Sequence, residues 1–371
     1  WYKNILLNGQ FSTLIVIQEI SGYFHLWMNI AAFFSGLVPI DKAPLVTVYF
    51  SFFLLVYIFF YIINSKSDFL PTNNSKYIAC MIVLFSPVMT SEVWLNSLNA
   101  MSYLGILTFF ILLESSHSSI FKKINFIFLF ISGLSGFYSS GLLPLFLIKY
   151  IYYRTKTNLL NFIILLFTAV TQITIAFFST INNEIASERF IITYEKLINY
   201  SYNVILKSLF GREIIQKIIS ISKIELLLPI FLLAILAVII SLFKLIIDKK
   251  DRVLNLILIC FLLESFLIIF GSAYNDFVGG RYSVCVGIIL SFIVVRLFYL
   301  YKERIIKFLY GFLIFIFLSA GFLEYKMYNI YPHFLSCIDC PEWKEEVNKW
   351  KVDKNYNLKL WPYPNITMTL Y

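Results

Sequence analysis

From Phe11 onward, apolar stretches follow one another with short polar breaks between them. Candidate helical spans fall at 43–63, 77–90, 98–113, 124–138, 140–153, 158–180, 226–247, 253–270, 282–300 and 306–323. A bilayer core of roughly 30 Å takes about 20 helical residues at 1.5 Å each, so several of these are short. The pattern predicts an all-α protein, a polytopic transmembrane helix bundle of about 9–11 spans within 1–323. It carries an exterior amphipathic segment at 182–225 and an exterior C-terminal tail at 324–371. The stretch from Phe11 to Val38 is interrupted by Gln18, Glu19, His25 and Asn29 and broken at Gly22-Tyr23, and reads as one or two interfacial helices. The pair 124–138 and 140–153 meets at Tyr138-Ser139-Ser140-Gly141. Two half-length helices joined by such a break can dip in and return where protein or a cavity covers the backbone. The chain opens at Trp1 without an initiator Met, a basic n-region or a cleavage site, so an upstream segment is expected.

Composition agrees with the pattern. Of 371 residues, 60% are hydrophobic and 14% charged, with mean hydropathy +0.80, against about half and a quarter in a soluble domain. A soluble protein, a disordered chain, collagen and a disulfide-dense scaffold are all excluded. Aromatics at 19% exceed what packing requires and suit the two water interfaces.

The net charge of +9 gains meaning from its location. Threading the spans puts Lys66, Lys76, Lys122, Lys123, Arg154, Lys156, Lys249, Lys250, Arg252, Lys302, Arg304 and Lys307 on one side, the cytoplasm by the positive-inside rule. That assigns the charge to membrane topology. The lipid bilayer is the expected partner, and nucleic acid is not.

Polar groups on the opposite, exterior face are then the candidates for chemistry. The loop Ser91–Asn99 brings Glu92, Trp94, Asn96 and Asn99 to the boundary. A carboxylate there can serve as general base or metal ligand and an indole can stack on a sugar; the bland alternative is a Trp anchor beside a helix N-cap. Asp276, Gly279-Gly280, Arg281 and Tyr282 form the next group. Arg281 is the only basic residue of its short exterior loop, so topology does not require it, and its guanidinium fork suits a phosphate. An internal Asp276–Arg281 salt bridge is the structural alternative.

Inside the spans, Glu264 should face the bundle interior, since a charge at the bilayer centre costs on the order of 3 kcal/mol on insertion scales. It can also be protonated and hydrogen-bonded. Gln172 has the same standing at lower cost. Glu19 and His25 are a loose acid/base candidate. Cys337 and Cys340 are a disulfide candidate in the exterior tail; zinc would need two further ligands, and no metal site is assigned. Cys80, Cys260 and Cys285 read as small apolar residues in spans. The Asn182–Glu225 segment alternates charge with Ile, Leu and Phe, as for helices on the membrane surface or roofing a cavity. Gly-rich nucleotide loops and nucleophile elbows do not occur.

Four motifs together resemble a known layout: Glu92-Val93 with Asn96 and Asn99 between short spans, Gly133-Leu134-Ser135-Gly136, Leu143-Pro144-Leu145, and Gly279-Gly280-Arg281-Tyr282. They resemble uncharacterised bacterial polytopic membrane proteins whose arrangement is similar to the GT-C class of glycosyltransferases. That resemblance covers most of the chain and implies a multi-pass protein of the bacterial inner membrane. It implies transfer of a sugar from a polyprenyl-phosphate carrier to a glycan acceptor on the exterior face, in cell-envelope polysaccharide biosynthesis. Glu19, acidic in the first exterior loop, and Glu92 become the catalytic candidates. Trp94, Asn96, Asn99, Asp276, Arg281 and Tyr282 become the substrate-binding ones. A divalent cation is the cofactor left open. The competing readings are a polysaccharide polymerase or ligase, a flippase or transporter, and a non-enzymatic membrane protein.

Overall fold

The computed structural model describes residues 8–18, 23–86, 95–114, 119–182, 193–211, 215, 217, 251–271, 282–326, 341–359 and 367–370. Among them helix dominates and the only strands are two-residue pieces: β1 (Ile17–Gln18) with β2 (Tyr23–Phe24), and β3 (Leu358–Lys359) with β4 (Thr367–Met368), both antiparallel. The helices are α1 Leu26–Ser35, α2 Ala43–Asn64, α3 Asn73–Leu84, α4 Met101–Leu113, α5 Ser119–Gly133, α6 Tyr138–Gly141, α7 Leu143–Tyr153, α8 Lys156–Asn182 and α9 Tyr194–Tyr200. They continue with α10 Lys207–Phe210, α11 Arg252–Gly271, α12 Ser283–Leu300, α13 Arg304–Lys326 and α14 Trp343–Val352. Ser201–Leu206, between α9 and α10, is a π-helical turn.

Five helical stretches among the described residues are long and apolar enough to cross a membrane: Ile40–Asn64, Lys156–Ser179, Arg252–Gly271, Ser283–Leu300 and Arg304–Tyr325. Shorter apolar helices, α1, α4 and α7, pack among them. The fold is an all-α polytopic bundle and the molecule an integral membrane protein. The expected span 226–247 lies outside the described residues.

Two helices form the centre. Every residue of α4 is buried, as is most of α12, because each is apolar around its whole circumference. Phe69 from the α2–α3 connection meets Phe109 and Phe110 of α4 and Phe292 of α12, with Phe109 stacked on Phe292 at a centroid distance of 5.8 Å. Such pairs add about 0.5–1.5 kcal/mol each beyond burial. The peripheral helices expose Phe, Ile and Leu outward, among them Phe53, Phe167, Phe177 and Phe315. That apolar outer surface is what lipid contacts.

The helix ends sort into two groups. At the basic end, the Lys66 amide donates to Glu114 Oε1 (2.7 Å), and Lys149 donates to the carbonyls of Leu112 (2.6 Å) and Glu114 (2.7 Å). Arg296 there pairs with Asp251 at 2.7 Å and donates to the Asp68 carbonyl at 2.9 Å. At the far end, Tyr325 donates to the Leu84 carbonyl, and Trp343 to that of Ile40. The charge-based threading and the packing therefore agree on which ends lie together.

The described tail packs on the far end. Val347 and Trp350 of α14 join Leu358, Leu370 and Ile40 in a second small core, and Lys351 pairs with Asp41. Buried Glu346 accepts from Lys349, the Tyr356 hydroxyl and the Lys359 amide.

Candidate functional site

The feature that organises the far end is the interruption Leu134–Leu142 between α5 and α7. Helices of 15 and 11 residues reach about 22 and 16 Å, so the chain rises from the basic end and turns back toward it on two helices, each shorter than a bilayer core of roughly 30 Å. Gly136 makes the turn at φ 122, where only glycine is unstrained, and a Cβ there would stand 3.2 Å from Met101 Sδ.

Interrupted backbone inside a bilayer needs partners from the protein, and the structure supplies them. The Leu26 amide donates to the Leu134 carbonyl at 2.8 Å and the Trp27 amide to Ser135 Oγ at 2.8 Å. Ser139 and Thr108 share a hydroxyl bond at 2.8 Å, while Tyr138 donates to the Tyr282 carbonyl at 2.9 Å. Tyr282 caps the start of α12 and packs its ring against the core.

His25 joins the same end. It caps α1, its Nδ1 accepting from the Met28 amide at 3.4 Å, while Nε2 lies 2.6 Å from the Leu98 carbonyl and donates to it. Burial depresses its pKa to about 4, against the two backbone hydrogen bonds that work the other way. The imidazole is thus neutral and fully used in holding the 96–99 turn, so it does not act as the loose acid/base partner considered for Glu19.

Asn96 takes the bland role open to it: its Oδ1 accepts from the Leu98 amide at 3.0 Å and caps the turn Ser97–Asn99. Asn99 is buried beside it. Ser97 bonds the Thr47 carbonyl and Ser51, tying this turn to α2. Gln172, flagged for its place inside a span, is satisfied by a reciprocal pair with Phe24: the amide of Phe24 donates to Oε1 at 2.9 Å and Nε2 donates back to the Phe24 carbonyl at 2.8 Å.

Glu264 does face the bundle interior. It is fully buried in α11, and neither carboxylate oxygen has a hydrogen-bond partner among the described residues. Ser265 beside it accepts from the Tyr200 hydroxyl, which brings α9 against α11. The expected surface helices of 182–225 are in this stretch part of the bundle, with Tyr200 and Val204 in the main core, because their apolar face is wide enough to pack on α12 and α13.

Of the other sequence candidates, Glu19, Glu92, Trp94, Asp276, Arg281, Cys337 and Cys340 lie outside the described residues. Asn96, Asn99 and Tyr282 lie within them, at the same end of the bundle as the Leu134–Leu142 interruption. Sequence reasoning marked the break, Tyr138 included, but not the bond from Tyr138 to Tyr282, and it missed Thr108, whose polarity within an apolar run was the available signal. Among the described residues no three His, Cys, Asp or Glu side chains converge to hold a metal ion. The fold defines the class, a membrane-embedded helix bundle with an interrupted helix pair. No family model, curated protein or solved structure matches the chain.

Proposed function

We propose that this protein is a membrane glycosyltransferase that uses a polyprenyl-phosphate-linked sugar on the exterior face, in cell-envelope glycan assembly. The observation that carries the reading is convergence. Asn96–Asn99, the Leu134–Leu142 interruption with its flanking Gly133–Gly136 and Leu143–Leu145, and Tyr282, which come from the four motifs, meet at the end of the bundle opposite the basic rim, with His25–Leu98, Gly136–Met101 and Tyr138–Tyr282 among the contacts there. Tyr282 directly follows Arg281 in sequence and closes the same Gly279–Tyr282 motif.

The chemistry is displacement at the anomeric carbon. A carboxylate, Glu92 or Glu19, takes the proton of the acceptor hydroxyl as its oxygen bonds to that carbon. The bond from the carbon to the lipid phosphate oxygen breaks, and Arg281 offsets the charge on the departing phosphate. The bilayer delivers the carrier and the acceptor arrives from the exterior.

Cells carrying Arg281→Ala test this. With normal protein level, surface glycans should lose a sugar. An unaltered glycan profile would overturn the phosphate role, and a change confined to chain length would favour a polymerase.

A further inference from the structure

Glu264 presents a problem that the transfer chemistry does not use. Its carboxyl is fully buried within an apolar helix, about two turns, or ~10 Å, from Gly271. Both of its oxygens lack a hydrogen-bond partner among the described residues, and none of the ion pairs among those residues includes it. The Ser140 hydroxyl, in the interrupted stretch, is likewise buried and unpartnered. The short helix that carries Ser140 reaches the carboxylate, since a Cβ on its next residue, Gly141, would stand 3.4 Å from Glu264 Oε1.

The titratable groups facing Glu264 are Tyr138 on α6, Cys260 on α11 and Cys285 on α12. Ordinary phenols and thiols are neutral at pH 7, so they bring it no counter-charge. A proton would remove the charge but leave an O–H donor, a carbonyl acceptor and the Ser140 hydroxyl all unmade in an apolar interior, where unsatisfied groups are expensive. A cation satisfies the carboxylate and the hydroxyl together. One carboxylate balances one positive charge, whereas a divalent ion would leave a net charge buried. Carboxylate and hydroxyl oxygens are hard donors, which select against soft metals. Interrupted helices within a membrane are also where freed backbone carbonyls can turn toward an ion.

We propose that Glu264 and Ser140, at the Leu134–Leu142 interruption, bind a small alkali cation of sodium size inside the bundle. The site is independent of the transfer reaction and stands or falls separately from it.

The test is thermal unfolding of the purified full chain in sodium, lithium, potassium or choline chloride at matched ionic strength and pH. Sodium should raise the midpoint over choline, saturably and by roughly 2 °C or more, with potassium less effective. Glu264→Gln, which keeps the shape and removes the charge, should abolish the difference, and Ser140→Ala should weaken half-saturation about tenfold. Equal midpoints in sodium and choline, a response to pH alone, or a sodium shift that survives in Glu264→Gln would each overturn the site. Should Glu264→Gln not fold, the ion series on the unaltered protein and on Ser140→Ala decides it.

Discussion

The Tyr138 hydroxyl donates to the carbonyl oxygen of Tyr282 at 2.9 Å, linking the interrupted helix pair to the first turn of α12 across 144 positions of sequence. Tyr138 is buried, and the contact is partly so. Tyr138→Phe removes the donor and leaves a carbonyl with one fewer partner, at a cost of about 1–3 kcal/mol. The unfolding midpoint should fall by a few degrees, and on the proposed function glycan transfer should fall with it, because Tyr282 belongs to the same Gly279–Tyr282 motif as Arg281. A variant with unchanged midpoint and unchanged glycans would break that link.

His25 makes stability depend on pH. Its folded pKa, about 4, lies below the ordinary 6.5, so the native state resists a proton that the unfolded chain accepts. The contribution is fully present above pH 6.5 and is lost as pH falls toward 4, amounting to about 3 kcal/mol for a shift of that size. Unfolding midpoints across that range should decline in the unaltered protein and decline less in His25→Gln, which can still bond Leu98. Parallel declines would contradict the assignment.

Close helix contact makes some glycines irreplaceable. A methyl group at Gly321 of α13 would run into the Phe85 carbonyl oxygen, which is backbone and cannot rotate away, whereas at Gly271 it would meet nothing within 4 Å. Gly321→Ala should cost about 1–3 kcal/mol through forced displacement, with Gly271→Ala near neutral. Expression level and unfolding midpoint of the two variants provide the comparison.

Lys149 closes the basic end of α4. It is largely buried in α7 and donates to the carbonyls of Leu112 and Glu114, the acceptors that a helix C-terminus leaves unpaired. Lys149→Met keeps the stem and removes charge-assisted bonds of about 1.5–3 kcal/mol each. A drop of several degrees in midpoint is expected, larger than for Lys351→Met, whose ion pair with Asp41 at 3.4 Å is exposed.

Long apolar runs bounded by charge were legible in the sequence: the expected spans 43–63, 253–270 and 282–300 correspond to Ala43–Asn64, Arg252–Gly271 and Ser283–Leu300. That the helix pair is interrupted was legible too, because Ser and Gly cluster between apolar flanks, although the expected junction Tyr138–Gly141 is itself the short helix α6 and the non-helical residues lie at 134–137 and 142. Pairings were not. Nothing in the local pattern around Phe24 announces a Gln172 that lies 148 residues away, and the β1–β2 hairpin that the pair supports falls in a stretch whose apolar residues suit either structure. The 194–210 helices show the same gap: periodicity reveals an apolar face but not whether lipid or α12 covers it.

The transferase account is tested most directly in proteoliposomes containing the full chain, loaded with polyprenyl-phosphate-linked sugars and a glycan acceptor, by following release of the lipid phosphate. The account predicts turnover by the unaltered protein, a loss of at least about 100-fold in Arg281→Ala, and turnover retained in Gly271→Ala. Undiminished release in Arg281→Ala, or none by the unaltered protein with any lipid-linked sugar, would contradict it.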